Sequence, residues 1–358
     1  MNLPPLQIGD LIARVPIIQG AMGVGVSRSG LAAAVAKEGG IGVISGVQIG
    51  FKEPDFGTNN LEANIRALKK EIKKARELCP KGIIGVNFLV AMNNYEKLAR
   101  TAVEEGIDII ISGAGLPTLL PSVVEGFKTK IAPIVSSGKA AMVICKLWDK
   151  KHGRIPDLVV VEGPDAGGHL GYSKEELITG QRHELKDILV EVIEQLKPFE
   201  DKYGRKIPVV AAGGVYTGKD IAEYIKLGAS GVQMATRFIA TEECDASIEY
   251  KNAFIEAKKE DIQIVKSPVG MPGRAIRNSF IKGLEEAPVK VTKCYNCLKP
   301  CNPAETPYCI SKALIEAVEG NLKEGLIFTG SNGYRINKIV TVRELIAELV
   351  TEAGEVNE

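Results

Sequence analysis

The residues of this chain best placed to do chemistry lie between Leu158 and Tyr172. An apolar run, Leu158-Val159-Val160-Val161, ends in Glu162 and passes through Gly163-Pro164-Asp165-Ala166 to Gly167-Gly168-His169-Leu170-Gly171-Tyr172. A run of that length reads as a buried strand, and in α/β proteins chemistry gathers where strands end and loops begin. Paired glycines let backbone approach a ligand closely, and an imidazole titrates near neutral pH. The chain has only three histidines, so one in this position is informative. A second candidate is Ala211-Ala212-Gly213-Gly214-Val215, with Gln233-Met234-Ala235-Thr236-Arg237 about twenty residues later. Gly213-Gly214 taken alone reads equally as a tight turn. With Thr236-Arg237 at the next strand end it reads as a phosphate site built from backbone N–H groups and a hydroxyl.

These elements need a scaffold that brings strand ends together. Eight apolar runs recur: 15–19, 41–44, 83–88, 108–111, 131–135, 158–162, 209–212 and 231–235. Helical patterns separate them at 29–37, 61–78, 95–104, 117–126, 139–150, 184–197 and 219–227. Continuous apolar strands alternating with helices indicate a parallel sheet covered on both faces. Eight units, with no Gly-x-Gly-x-x-Gly turn after the first, favour a closed (β/α)8 TIM barrel over an open doubly wound sheet. Three connections exceed ordinary linkers: 45–60, 169–182 and 266–306, of the lengths that lids and binding loops have. The barrel is assigned to residues 1–265. Residues 266–358 are assigned to a Cys-containing lid and a helical extension at 311–319 and 342–350.

Composition narrows the function classes. The 358 residues are 45% hydrophobic and 25% charged, with 45 basic and 44 acidic side chains. A net charge of +1 gives no footprint for nucleic acid or anionic membrane. No apolar run approaches the ~20 residues of a membrane span. Met1-Asn2-Leu3-Pro4-Pro5 lacks the basic and apolar regions of a signal peptide. A cytoplasmic, reducing location is expected from this and from the odd count of seven cysteines. Small-molecule substrates are the expected partners, with a homodimer possible through the C-terminal helices.

The chain resembles the flavin-dependent nitronate monooxygenase (2-nitropropane dioxygenase) family, related to the flavin-containing type II enoyl-acyl-carrier-protein reductases. The resemblance rests on Pro16-Ile17-Ile18-Gln19-Gly20-Ala21-Met22, Gly39-Gly40-Ile41-Gly42, Gly85-Val86-Asn87, the segment from Glu162 to His169, Ala212-Gly213-Gly214-Val215, and the segment from Gly231 to Phe238. It covers about residues 10–285 and implies a non-covalent FMN. By position it places Ala21 and Met22 near the flavin ring and Asn87 in hydrogen-bond reach of it. Glu162, Ala166 and Gly167 would line the cofactor, and Gly213, Gly214, Gln233 and Thr236 would hold its phosphate end.

His169 then has several open roles: a base taking the proton alpha to a nitro group, a donor orienting an already ionised nitronate, in a reductase a group positioning a carbonyl or the flavin, or a structural histidine bonded to a backbone carbonyl. His152, in a charged turn, and His183, at a helix start, are not catalytic candidates. Lys139 after Ser137, and Arg274 in the Pro/Gly-rich stretch that follows Ser267, are each either ligand contacts or surface charges. Cys294-x2-Cys297-x3-Cys301-x7-Cys309 departs from the family picture: it reads as a [4Fe–4S] cluster, a structural zinc or four reduced thiols. Cys79, Cys145 and Cys244 are isolated. The functions expected are, first, nitronate monooxygenase, giving a carbonyl compound and nitrite with O2. The second is NAD(P)H-dependent enoyl-thioester reductase, and the third a non-catalytic FMN- or metal-binding barrel.

Overall fold

The computed structural model describes residues 3–180 and 183–356. Eight parallel strands close into a barrel: Ile17–Gln19, Ile41–Ser45, Ile83–Leu89, Ile109–Gly113, Lys130–Val135, Val159–Glu162, Val209–Ala212 and Gly231–Met234. The eighth returns to the first, with Gln233 opposite Ile18. All eight sequence-derived strands are present, within two residues at every end. Their side chains alternate. Ile18, Val43, Ile109, Ile111, Val160 and Val210 fill the barrel interior. Ile17, Ile44, Val86, Ile110, Val161 and Val232 pack outward against the helices. Both faces are therefore dry, which is why the strands read as unbroken apolar runs.

The helices follow the expected pattern, with Ser29–Lys37 and Tyr95–Glu104 matching residue for residue. The helix after the fourth strand shrinks to Leu120–Val123. Proline lacks an N–H and is tolerated only in the first turn, so Pro121 keeps the helix from reaching back to Pro117, and Gly126, at φ +82°, stops it from continuing. The helix after the sixth strand begins at Leu185 and runs to Tyr203. Pro198 interrupts that sequence without ending the helix. The 169–182 connection includes residues 181 and 182, which lie outside the described residues.

Three additions escaped the sequence reading. A hairpin of Leu6–Ile8 and Leu11–Ala13 plugs the N-terminal end of the barrel, with Leu6, Ile8 and Ala13 in the interior cluster. A second hairpin, Ile262–Lys266 with Pro272–Ile276, lies over the opposite mouth. Its second strand pairs antiparallel with Gly168–His169, placing Gly273 opposite His169. The expected boundary after residue 265 thus falls inside the first strand of this hairpin. A helix at Ile248–Glu256 follows the eighth unit. The C-terminal helices are Ile310–Val318 and Val342–Glu355, and the latter packs on Gly218–Lys226.

Arg274 links the mouth hairpin to the loop after the sixth strand. It is buried, and its guanidinium donates to the carbonyls of Pro164 and Ala166. It is therefore neither a substrate anchor nor a surface charge, the two roles expected for it. Leu170 N–H also donates to Pro272 O at 2.9 Å. Truncating Arg274 strands two buried acceptors, each costing roughly 1–3 kcal/mol. Arg274→Ala should lower unfolding free energy by about 2–6 kcal/mol in urea denaturation, and Arg274→Lys should restore part of it. A loss below about 1 kcal/mol would show that the staple contributes little.

Candidate active site

The C-terminal mouth of the barrel opens into a cavity of about 390 Å3. His169 and all ten residues assigned to the cofactor line it: Ala21, Met22, Asn87, Glu162, Ala166, Gly167, Gly213, Gly214, Gln233 and Thr236. They come from the ends of the first, third, sixth, seventh and eighth strands, so only closure of the sheet brings them together.

The turn after the first strand is set by Gln19. Its Nε2 donates to Gly20 O at 2.7 Å and to Ser27 Oγ at 3.0 Å, while its Oε1 accepts from Val43 N–H. Ser27 Oγ also accepts from Met22 N–H at 3.0 Å. This buried network holds Gly20-Ala21-Met22 against the cavity. Asn87 donates to Ile111 O at 3.1 Å, which fixes its amide at the end of the third strand.

At the seventh strand end, Gly213 and Gly214 have φ of +93° and +85°, the left-handed region open to glycine. A Cβ on Gly213 would stand 2.9 Å from Gly163 O, and one on Gly214 3.0 Å from Asp165 Cβ. Both positions line the cavity and pack so tightly on the loop after the sixth strand that a side chain would collide with it. Thr236 opens a one-turn helix beside them, and its Oγ1 accepts from Gly330 N–H at 3.1 Å. Arg237, expected at the same phosphate end, turns away. It donates to Tyr216 O, pairs with Glu348 at 2.7 Å and stacks over the Tyr216 ring.

Sequence reasoning missed one wall of the cavity. Phe328-Thr329-Gly330-Ser331-Asn332 enters the mouth from the C-terminal extension and lines the cavity. Ser331 N–H donates to Asp165 O, and Asn332 Nδ2 donates to Gly214 O at 2.8 Å. The Thr-Gly-Ser-Asn-Gly composition signals a loop, but nothing in it points back to a barrel mouth about a hundred residues upstream. Gly167 is the matching residue, since a Cβ there would lie 2.6 Å from Thr329 C.

His169 projects from the strand paired with the mouth hairpin. Its ring meets Phe328 edge-on at 5.1 Å, and its Nε2 lies 2.6 Å from Ser267 Oγ. Burial pulls its pKa down to about 4, so the imidazole is neutral at physiological pH. Glu162 experiences the opposite effect on its acid form: burial pushes its carboxyl up to about 7. His152 closes the helix Gly138–His152 with Nε2 3.2 Å from Thr118 O. It is part-buried, where a solvated turn was expected. His183 is exposed and precedes its helix by two residues. Ser137 caps a helix through Ala140 N–H, and Lys139 is exposed and does not line the cavity.

The cysteine segment serves as a strap. Asn93 Nδ2 donates to Asn296 O, Asn93 N–H to Cys297 O, and Tyr295 stacks on Phe56 at 5.2 Å. Cys294 is exposed, while Cys297, Cys301 and Cys309 are part-buried. Among the described residues no group of three or more His, Cys, Asp or Glu side chains is placed to hold a metal ion. The expected iron–sulfur or zinc site is thus not formed by Cys294, Cys297, Cys301 and Cys309, whose segment instead ties the loops of the second and third units together. Cys79, Cys145 and Cys244 are buried thiols.

A closed barrel with one lined cavity at its C-terminal mouth defines a (β/α)8-barrel enzyme. A family profile described as nitronate monooxygenase matches residues 7–352, and the chain belongs to that family. A probable nitronate monooxygenase of Staphylococcus saprophyticus is 26% identical over 99% of both chains. Another, of Staphylococcus aureus strain Newman, is 30% identical over 76% of this chain and 78% of its own. Among solved structures, FabK from Thermotoga maritima superposes with a TM-score of 0.74 at 26% identity, covering 96% of this chain and 94% of its own. Nitroalkane oxidase from Streptomyces ansochromogenes shares the fold, with a TM-score of 0.73 at 21% identity, covering 96% of each chain. The chain is an oxidoreductase, and the expectation of a non-catalytic barrel is set aside. Among the described residues no helix is long and apolar enough to cross a membrane.

Glu162 yields a pH signature. Its folded pKa lies above the ordinary 4.5, so its contribution to stability is complete below pH 4.5 and is lost as pH rises through about 7. Glu162→Gln removes that loss. In flavin-free protein, the stability difference should move toward the variant by on the order of 3 kcal/mol between pH 4.5 and 8. A difference constant with pH would show that the carboxyl titrates normally.

Proposed function

We propose that this chain is an FMN-dependent nitronate monooxygenase, oxidising alkyl nitronates with O2 to a carbonyl compound and nitrite. The observation that carries the reading is the meeting of His169 with the Gly213-Gly214 wall, Thr236, Asn87 and the Gly20-Ala21-Met22 turn on one cavity. The residues fit FMN. Gly213 and Gly214 leave backbone N–H groups unobstructed, and with Thr236 and Gln233 would hold the phosphate. Ala166, Gly167 and Glu162 would line the cofactor. Asn87 would hydrogen-bond the ring, with Ala21 and Met22 beside it. When bound, FMN supplies the electron-accepting chemistry that nitronate oxidation needs and that no amino-acid side chain offers.

The neutral imidazole of His169 suits an anionic substrate in two ways. It adds no charge that must be desolvated, and it offers hydrogen bonding to a nitronate oxygen. The apolar rim from Leu116, Met271 and Leu314 matches an alkyl chain and excludes water. The substrate enters already ionised, so no carbon acid has to be deprotonated.

The second reading, an NAD(P)H-dependent enoyl-thioester reductase, is favoured by the likeness to FabK across 96% of the chain. A Rhodococcus jostii relative, 25% identical over 76% of this chain and 65% of its own, carries a CoA thioester in its name, "(3aS,4S,5R,7aS)-5-hydroxy-7a-methyl-1-oxo-octahydro-1H-indene-4-carboxyl-CoA dehydrogenase".

The two separate in a stopped-flow experiment. Anaerobic mixing with propionate 3-nitronate should bleach the flavin, and readmitted O2 should restore it with release of nitrite. Bleaching by NADH or NADPH alone, with none by the nitronate, would replace the first reading with the second. His169→Asn should lower kcat/KM for the nitronate by roughly 10²-fold or more, the loss typical of one positioned donor. With His169 at about 4, the wild-type kcat/KM should show no histidine limb between pH 5 and 8. A limb near pH 6.5 would contradict the neutral imidazole.

A further inference from the structure

We propose that Ser267 is a positioning residue that fixes His169 in the tautomer whose N–H, on Nδ1, faces the cavity. This deepens the nitronate reading and rests on it only for the identity of the ligand: His169 becomes a hydrogen-bond donor to a substrate oxygen instead of a base.

Ser267 is buried, 2% exposed, and does not line the cavity. Its Oγ lies 2.6 Å from His169 Nε2 and also accepts from Val269 N–H at 3.5 Å. A hydroxyl has one hydrogen to give, and a buried one has to give it to an acceptor. Among the described residues the only acceptor within reach of Ser267 Oγ is His169 Nε2. Were Nε2 protonated, Oγ would accept from both Val269 and His169, and its own hydrogen would have no partner. An unsatisfied buried donor is costly, so the arrangement selects O–H donating to a lone pair on Nε2. The imidazole is neutral, so its single hydrogen then sits on Nδ1.

Among the described residues Nδ1 has no partner, and no buried side-chain nitrogen or oxygen is left unsatisfied. His169 lines the cavity, so Nδ1 opens into it. The geometry is held from outside the site. Lys266, next to Ser267, pairs with Pro272 and accepts from Tyr308 Oη at 3.3 Å, while Gly273 pairs with His169 itself. The mouth hairpin therefore delivers the hydroxyl and clamps the histidine at once. A neutral nitroalkane would need a lone pair at Nδ1 to lose its proton, and this tautomer offers none. A preformed nitronate needs a donor there, and finds one.

The test is nitrogen NMR of holoprotein labelled with 15N-histidine, which distinguishes the two tautomers of each ring. Only three histidines are present, and His152 is an internal standard. Its Nε2 faces a carbonyl, Thr118 O, which only accepts, so its hydrogen must sit on Nε2. His169 should show the opposite form, hydrogen on Nδ1. Ser267→Ala should make the Nε2–H form of His169 appear while His152 and His183 stay unchanged, showing that the fold is intact. Ser267→Thr, which keeps the hydroxyl, should return the Nδ1–H form. Wild-type His169 with its hydrogen on Nε2, or a tautomer unmoved by Ser267→Ala, overturns the proposal. These readouts involve no substrate, so failure of the nitronate assay would leave them standing and would count only against the proposed function.

Discussion

The structure depends on one exposed-backbone problem and its solution. The chain leaving the sixth strand has to cross the barrel mouth from Gly163 to His169 with almost no side chains to shield it. Two of its carbonyls, from Pro164 and Ala166, are satisfied by the single guanidinium of Arg274. Two more of its residues, Gly168 and His169, are paired by the strand that carries Arg274. A buried cation is expensive unless its donors are used, and here they are used to set the path of the loop that carries the histidine. Because the hairpin also supplies Ser267, the segment that covers the site and the group that orients its imidazole are the same element.

The opposite wall shows a related economy. Thr236, Gly214 and Asp165 are joined to Gly330, Asn332 and Ser331 by backbone-directed hydrogen bonds. The C-terminal extension is held in place by Val342–Glu355, which packs on the helix after the seventh strand and engages it through Glu352 to Gly218 N–H. The site is therefore closed by segments far apart in sequence, each tied to glycine-rich strand ends. A barrel supplies rigid strand ends, and the additions convert an open mouth into a walled cavity.

What could be read in the sequence follows from the range of the interactions involved. Strands buried on both faces announce themselves as apolar runs, so all eight were legible from Ile17 to Met234. Glycine at Gly213 and Gly214 was legible because a positive φ restricts the residue type. The roles of Arg274 and Arg237 were not, because the same side chain can hold a ligand, a carbonyl or a carboxylate, and only the partner decides. Arg274 found Pro164 and Ala166 across more than a hundred residues. The cysteines stayed ambiguous for a related reason: spacing permits a metal cage or four reduced thiols, and it does not decide whether the sulfurs gather. Gly330-Ser331-Asn332 carried no local mark of a site at all.

On the proposed function the walled cavity would be a phosphate-anchored flavin site, with Gly213, Gly214 and Thr236 as the anchor. Equilibrium titration of flavin-stripped protein with FMN and with riboflavin tests it most directly, because the two ligands differ only in the phosphate. The account predicts one FMN per chain, with riboflavin bound at least about 100-fold more weakly, a difference of about 2.7 kcal/mol. Equal affinity for the two, or no binding of either, would contradict it.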